Sequence, residues 1–256
     1  MRRIAFINEK GGTCKTTLCV NVAARLAARG RRVLVADLDT QGHAAKSLGV
    51  DPRRLSPTVH EWLLGTAPFA TVVRPTAIPG LDLLPANKDL SAWPALAGPA
   101  GDGVLRRRLD ELPAGTYDAV LVDSPPSRSL VTDNILAAAG ELVIPVALTY
   151  LALDGCAEIL ESVERLRTER GSAPRLTLAV ATLHRRTQLA EEILAKLRER
   201  LGPALSTTVL GWSVKVDEAQ SHGQTVFEWA PRSSGARALA AIADEIDARG
   251  ASARAA

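Results

Sequence analysis

Short apolar runs recur along the chain: RIAFIN, VLVAD, LDLLP, AVLVD, LVIPVA, LTLAVAT and STTVL. Runs this continuous suit strands covered on both faces rather than strands with one wet side. Helical periods fill the intervals, most clearly over 15–29, 154–168 and 188–201. In the last of these, Leu189, Ile193, Leu197 and Leu201 recur at every fourth position and predict one inward stripe, with charges elsewhere. Strand and helix in alternation predict an α/β fold, a doubly wound, mainly parallel sheet flanked by helices. Residues 51–103, rich in Pro and Gly, read as loops around one strand and short helices. Neither a repeat nor a linker divides the chain, so residues 1–248 are expected to form one domain and 249–256 a flexible tail.

Composition narrows the function classes only a little. With 256 residues, 46% of them apolar and 23% charged, the chain is long enough for a large, well-buried core. Aromatic residues make up 4%, too few for a broad platform that stacks single-stranded bases. The four Trp residues, Trp62, Trp93, Trp212 and Trp229, lack regular spacing and read as packing residues, and His43, His60, His184 and His222 have no metal spacing. Cys14, Cys19 and Cys156 fit no zinc pattern and cannot all pair, which favours a reducing, cytoplasmic compartment. A net charge of +3 leaves the distribution of basic groups to decide about nucleic acid. No apolar stretch has the length of a signal peptide core or a spanning helix.

The chemistry begins at EKGGTCKTT, positions 9–17. It stands between an expected strand and an expected helix, where backbone N–H groups and the helix dipole favour a phosphate. Gly11, Gly12, Thr13, Cys14, Lys15, Thr16 and Thr17 would wrap that phosphate, with Lys15 over the β- and γ-phosphates of ATP and the Thr16 hydroxyl on Mg²⁺. The usual pattern has glycine at positions 9 and 14, where this chain has Glu9 and Cys14. A Cβ at Cys14 could crowd the phosphates or strain the loop, though a side chain this small is expected to be accommodated with modest consequence, and a thiol at a helix start beside Lys15 is expected to have a lowered pKa. VLVADLDTQG ends a strand at Asp37 and Asp39, and AVLVDSPPS ends another at Asp123. Acids at strand ends are often helix caps, but in an open α/β sheet they also converge on the ligand crevice.

With these motifs the chain resembles the ParA/MinD branch of P-loop ATPases, and most of all short, Soj-like ParA partition proteins. The resemblance runs from NEKGGTCKTT through DLDTQG, LDLLPANKDLSA, VDSPPS, IPVALTYLALDG and HRRTQLAEEIL to VKVDEAQSHGQTVFEWAPRSSGA, nearly the whole chain. In that branch the loop reads K-G-G-x-G-K-[ST], so Glu9 is no defect. The early lysine, here Lys10, is implied to reach across a homodimer interface to the partner subunit's ATP. The resemblance further implies Asp39 for orienting the attacking water, Asp123 for holding Mg²⁺, and Asp37 in support. A residue bulkier than Gly11 should spare ATP binding yet block dimerisation. Thr40 stands where the family has proline, which loosens the turn that holds Asp39, and DSPP replaces Asp-Thr-Pro with a hydroxyl kept at Ser124.

The same resemblance implies sequence-independent binding of double-stranded DNA by residues matching Arg186 and Lys215, with Arg185 beside them and Arg232 and Arg237 as an extension. Doubling a modest basic patch by dimerisation doubles the phosphates neutralised, so ATP could switch DNA affinity without any base-reading element. A ParB-like or adaptor protein with a basic N-terminal segment is the expected partner, hydrolysis is expected to be slow, and the ATP state is expected on the nucleoid. The chain opens on its first strand, so operator-specific autoregulation is not expected. Two other readings stay open: a MinD-like membrane ATPase, which should end in an amphipathic helix that RGASARAA does not offer, and an ATP-dependent metabolic enzyme.

Overall fold

The computed structural model describes residues 1–149, 152–171 and 173–255, with the side chains of 152–156, 170 and 251–255 outside the description. Eight strands form one sheet: β1 (Arg2–Phe6), β2 (Val33–Asp37), β3 (Arg74–Pro75), β4 (Leu81–Leu84), β5 (Ala119–Asp123), β6 (Glu141–Ala147), β7 (Arg175–His184) and β8 (Leu210–Gly211). Their order is β3-β4-β2-β5-β1-β6-β7-β8, parallel throughout except where β3 meets β4. The doubly wound, mainly parallel sheet read from the alternation is therefore present.

Among the described residues twelve α-helices accompany it. The first six are α1 (Lys15–Ala27), α2 (His43–Ser47), α3 (Val59–Leu64), α4 (Phe69–Val72), α5 (Trp93–Ala97) and α6 (Val104–Asp110). The others are α7 (Leu130–Ala138), α8 (Ala152–Arg170), α9 (Gln188–Leu201), α10 (Val214–Ser221), α11 (Val226–Trp229) and α12 (Ser234–Ala255). The expected tail from 249 coincides with the last turns of α12, whose side chains from 251 lie outside the described residues.

Two cores, one on each face of the sheet, explain why the strands lack alternation. Ile4, Phe6, Val33, Val35 and Leu121 face α1, α10 and α12, while Ala5, Leu34, Ala36, Val120 and Val122 face α5, α6 and α7. Successive side chains point to opposite faces, so a strand covered on both sides must be apolar at every position. Helix α1 is covered almost all round, including Cys19, because it lies between the sheet and α12.

Two expectations need correction. Leu189 is half exposed, and α9 instead buries Ala190, Ile193, Leu194 and Leu197. Fourfold spacing overshoots a 3.6-residue turn, so Leu189 has rotated off the face that Ile193 and Leu197 share. STTVL yields only Leu210 and Gly211 as strand, with an isolated bridge at Leu205. Ser206 Oγ donates to Glu245 of α12 at 2.7 Å and the Thr207 N–H to the same carboxylate at 3.2 Å, so this segment is held by a helix rather than by a ladder.

Candidate phosphate-binding site

The loop from β1 to α1 is pinned at both ends. Asn8 is buried; its Nδ2 donates to the Pro145 carbonyl at 2.7 Å and its Oδ1 accepts the Lys10 N–H at 2.9 Å. At the far end, the Thr182 hydroxyl of β7 donates to the Thr13 carbonyl at 3.1 Å. Gly12 and Cys14 both take the left-handed conformation, with φ of 70° and 68°. Glycine adopts that geometry freely and cysteine does not, so the expected strain sits at Cys14. An added Cβ at Gly11 would meet only Pro126 Cβ, at 3.9 Å, so nothing within the chain demands glycine there.

Lys15 is buried, and its ammonium donates to the Lys10 carbonyl at 2.9 Å, across the hollow of the loop. Burial pulls its pKa down, and Asp123 and Asp39 act in the opposite sense. Thr16 Oγ1 donates to Asp123 Oδ2 at 2.7 Å, while Asp123 Oδ1, fully buried, has no hydrogen-bond partner. Burial and the nearby Asp39 push the Asp123 carboxyl up to about 7 despite the Thr16 bond and Lys15.

Asp37 and Asp123 are register partners on neighbouring strands. Asp37 accepts the Asp39 N–H at 3.0 Å and the Ala44 and Ala45 N–H groups at 3.1 and 3.4 Å. It is a buried cap for α2 that also fixes the start of the Asp39 turn, and burial next to Asp123 raises its pKa. Asp39 lines the cleft; its Oδ1 accepts the Gln41 N–H at 3.0 Å and its carbonyl the Gly42 N–H at 2.9 Å. The turn stays closed with Thr40 in place of proline.

A cleft of about 500 Å³ is lined by residues 11–17, Asp39 and Pro126, and also by Gln41, His43, Lys46, Ser47, Gln220 and Ser221, while Asp37 and Asp123 are buried outside its lining. The last six lining residues were not singled out as site residues in the sequence. Gln220 of α10 donates to Thr17 Oγ1 at 3.0 Å, and Asn21 of α1 accepts the Val226 N–H at 3.0 Å, so the C-terminal helices are stitched to the loop's helix. No motif signals Gln220, which is far from the loop in sequence. A larger cavity, about 660 Å³, lies at the amino ends of β1 and β6 among Arg3, Arg106, Leu136 and Pro174, away from every carboxylate of the cleft.

The Cys14 thiol contradicts its expectation. Burial pushes it up to about 11, outweighing a Thr182 hydrogen bond and the Lys15 charge, so it is protonated near neutrality. Cys19 is buried as well, and Cys156 lies outside the described side chains.

The basic residues expected on DNA gather at the carboxyl ends of β7 and β8. Arg185 and Arg186 follow His184, are exposed, and lie beside Trp212, whose N–H donates to the His184 carbonyl at 3.0 Å. Lys215 opens α10 and donates to Glu218 at 2.7 Å. Arg232 is exposed on the turn before α12, whose Gly235 abuts Ser213 and Val216. Trp62 and Trp93 are buried as expected, whereas Trp212 is 50% and Trp229 38% exposed. His184 pairs with Glu191, and His222 stacks on Trp229.

A loop that opens a helix at the centre of a parallel sheet, facing carboxylates on two neighbouring strands, defines a P-loop nucleotide-binding protein. Residues 1–177 match the family model AAA_31, described as an AAA domain. The chain is 43% identical over 254 residues to the chromosome-partitioning ATPase Soj of Thermus thermophilus, with 97% of this chain and 96% of that protein covered. It is 33% identical to the chromosome partitioning protein ParA of Caulobacter vibrioides, with 97% and 95% covered. The crystal structure of cobyrinic acid a,c-diamide synthase from Mycobacterium smegmatis with bound ATP analogue and magnesium superposes with a TM-score of 0.78 at 33% identity, covering 95% of this chain and 93% of that one. The chain belongs to the ParA/Soj family of P-loop ATPases.

Proposed function

We propose that this chain is a positioning ATPase of the ParA type, which dimerises around ATP, binds double-stranded DNA without sequence preference in that state, and leaves DNA when a partner stimulates hydrolysis. The observation that carries the reading is that Lys15, Thr16 and Asp39 line one cleft, with the buried Asp123 bonded to Thr16, in a chain related over nearly its whole length to chromosome-partitioning ATPases. The N–H groups of the first turn of α1 have no acceptor within their own helix, as at any helix start, and together with Lys15 they suit the phosphates. In that role Lys15 exchanges the Lys10 carbonyl for phosphate oxygens.

The unpartnered Asp123 Oδ1 and the Thr16 hydroxyl fit Mg²⁺, which prefers one or two protein oxygens beside phosphate and water. Magnesium there would neutralise phosphate charge as it shifts during transfer. Asp39, at the cleft wall and held by the Gln41 N–H, is placed to orient the attacking water and to reach the metal's water shell. Asp37 positions Asp39 through its backbone. Lys10 serves the partner subunit's nucleotide, so each site is completed only in the dimer. Slow turnover suits this use, because the γ-phosphate holds a conformation whose lifetime hydrolysis ends.

Arg185, Arg186, Lys215 and Arg232 form the DNA surface, presented twice by the dimer. The stimulating partner is a ParB-like or adaptor protein with a basic N-terminal segment, and the ATP form resides on the nucleoid. Among the described residues no helix is long and apolar enough to cross a membrane. The test is retention on arbitrary duplex DNA with and without ATP for the wild type, Lys15→Ala and Arg186→Glu. Retention is expected only for the wild type with ATP, and retention that ignores nucleotide would count against the reading. Similarity to the M. smegmatis synthase supports one other reading, an ATP-dependent metabolic enzyme on the same scaffold. ATP-dependent amidation of cobyrinic acid by the purified chain would select it.

A further inference from the structure

Trp212 belongs to neither core. Its ring is half exposed, and the Arg185 guanidinium lies 4.6 Å from the ring centroid. Its backbone N–H bonds the His184 carbonyl at 3.0 Å, which ties the loop after β8 to the loop after β7. Val214, two residues on, is 59% exposed. Burial alone would have turned so large a side chain inward, and here it stands at the mouth of a basic surface.

We propose that Trp212 is part of the nucleic-acid surface: a platform that holds the Arg185 guanidinium in place and lies against the sugar-phosphate backbone of duplex DNA. The inference rests on the DNA-binding reading above. A guanidinium stacked on an indole face keeps its in-plane N–H donors available for phosphate while losing less side-chain entropy on binding. Arg186 stands beside it, and Lys215 and Arg232 lie on the adjoining turns. Of the acids nearby, Glu191 is hydrogen-bonded to His184 and Glu218 is paired with Lys215, while Asp217 is exposed. The surface therefore complements a polyanion. A duplex fits better than a single strand, because one aromatic face already covered by Arg185 leaves no ladder for successive bases.

The experiment measures the affinity of the full chain, with Mg²⁺ and a slowly hydrolysed ATP analogue, for a random-sequence duplex by fluorescence anisotropy at several salt concentrations. Trp212→Ala, Trp212→Phe, Arg185→Ala and the Trp212→Ala/Arg185→Ala double variant are compared with wild type. Trp212→Ala is expected to weaken binding roughly tenfold, Trp212→Phe to restore most of it, and the double variant to lose less than the sum of the single effects. A platform acting through Arg185 leaves that non-additive signature, which a general packing defect does not. If wild type binds and Trp212→Ala binds equally well, or if the two substitutions simply add, the proposal is overturned while the DNA reading stands. If wild type itself fails to bind with the analogue, the DNA reading falls and takes the proposal with it. Melting curves within a degree or two of wild type establish that the variants are folded, and Trp212→Phe serves as the second probe should the alanine variant not fold.

Discussion

The Thr16 hydroxyl lies 2.7 Å from one oxygen of Asp123, and the other oxygen of that carboxylate is buried with no partner at all. A buried acceptor in this condition costs stability unless something arrives to use it. That oxygen is the one the proposed function gives to Mg²⁺, with Lys15 close enough to matter electrostatically.

The first prediction follows from the charge of that site. Burial raises the Asp123 carboxyl from its ordinary range to about 7, and Asp37 is raised too. Between the ordinary carboxylate range and pH 7 the folded chain keeps protons that the unfolded chain has released, so ligand-free stability falls as pH rises through this window. Asp123→Asn removes the Asp123 share of the effect and leaves the burial of Asp37 in place. Ligand-free Asp123→Asn should melt above wild type at pH 8 by a margin worth a few kcal/mol, shrinking toward pH 4. Scanning calorimetry at the two pH values checks it, and a margin that does not shrink would contradict it.

Gly11 separates folding from assembly. Since a Cβ there meets only Pro126 at 3.9 Å, Gly11→Val should fold and bind ATP like wild type. It should remain monomeric with ATP, where the loop of a second copy must approach. Light scattering alongside nucleotide-binding calorimetry measures both; loss of ATP binding would show that the constraint is internal.

Cys14 should be chemically quiet. With its thiol pushed up to about 11, little thiolate exists at pH 7.5, so peroxide or a maleimide should leave ATPase activity unchanged over times that inactivate an ordinary exposed thiol. Cys14→Gly should relieve the left-handed strain, on the order of 1 kcal/mol, visible as a raised melting temperature.

Away from the site, Arg2 ties the start of β1 to Glu141 at 2.8 Å and to Asp247 of α12 at 3.0 Å, and all three side chains are largely buried. Removing Arg2 leaves Glu141 near Arg175 at 3.6 Å and Asp247 near Arg29 and Arg31 at 3.6 and 3.7 Å, so Arg2→Ala should destabilise in urea unfolding by about 1.5–3 kcal/mol, the worth of its charged hydrogen bonds. Gly250→Ala should destabilise as well, because a Cβ there would run into the Arg2 guanidinium, which Glu141 and Asp247 hold in place.

What the sequence made legible was local. The Gln188–Leu201 helix has its observed ends because Thr187 caps one and Gly202 follows the other. The loop Lys10–Thr17 and the strand-end acids Asp37, Asp39 and Asp123 could be read because each motif is contiguous and a parallel sheet brings strand ends together. The remainder depends on tertiary contact. Ser206 and Thr207 look like strand residues until Glu245 claims their donors. Gln220 reaches Thr17 from a distant helix, and Trp212 stays half exposed beside the Arg185 guanidinium. Asp37 shows both readings of a strand-end acid at once, since it caps α2 and holds Asp39 in the same set of bonds.

The most direct measurement is the sedimentation of purified Asp39→Ala protein with saturating ATP and Mg²⁺, a variant expected to hold ATP without turning it over. A dimer that reverts to monomer on Lys10→Ala substitution is the expected result. A monomer at every ATP concentration, or a dimer indifferent to both nucleotide and Lys10, would contradict an ATP-bridged assembly.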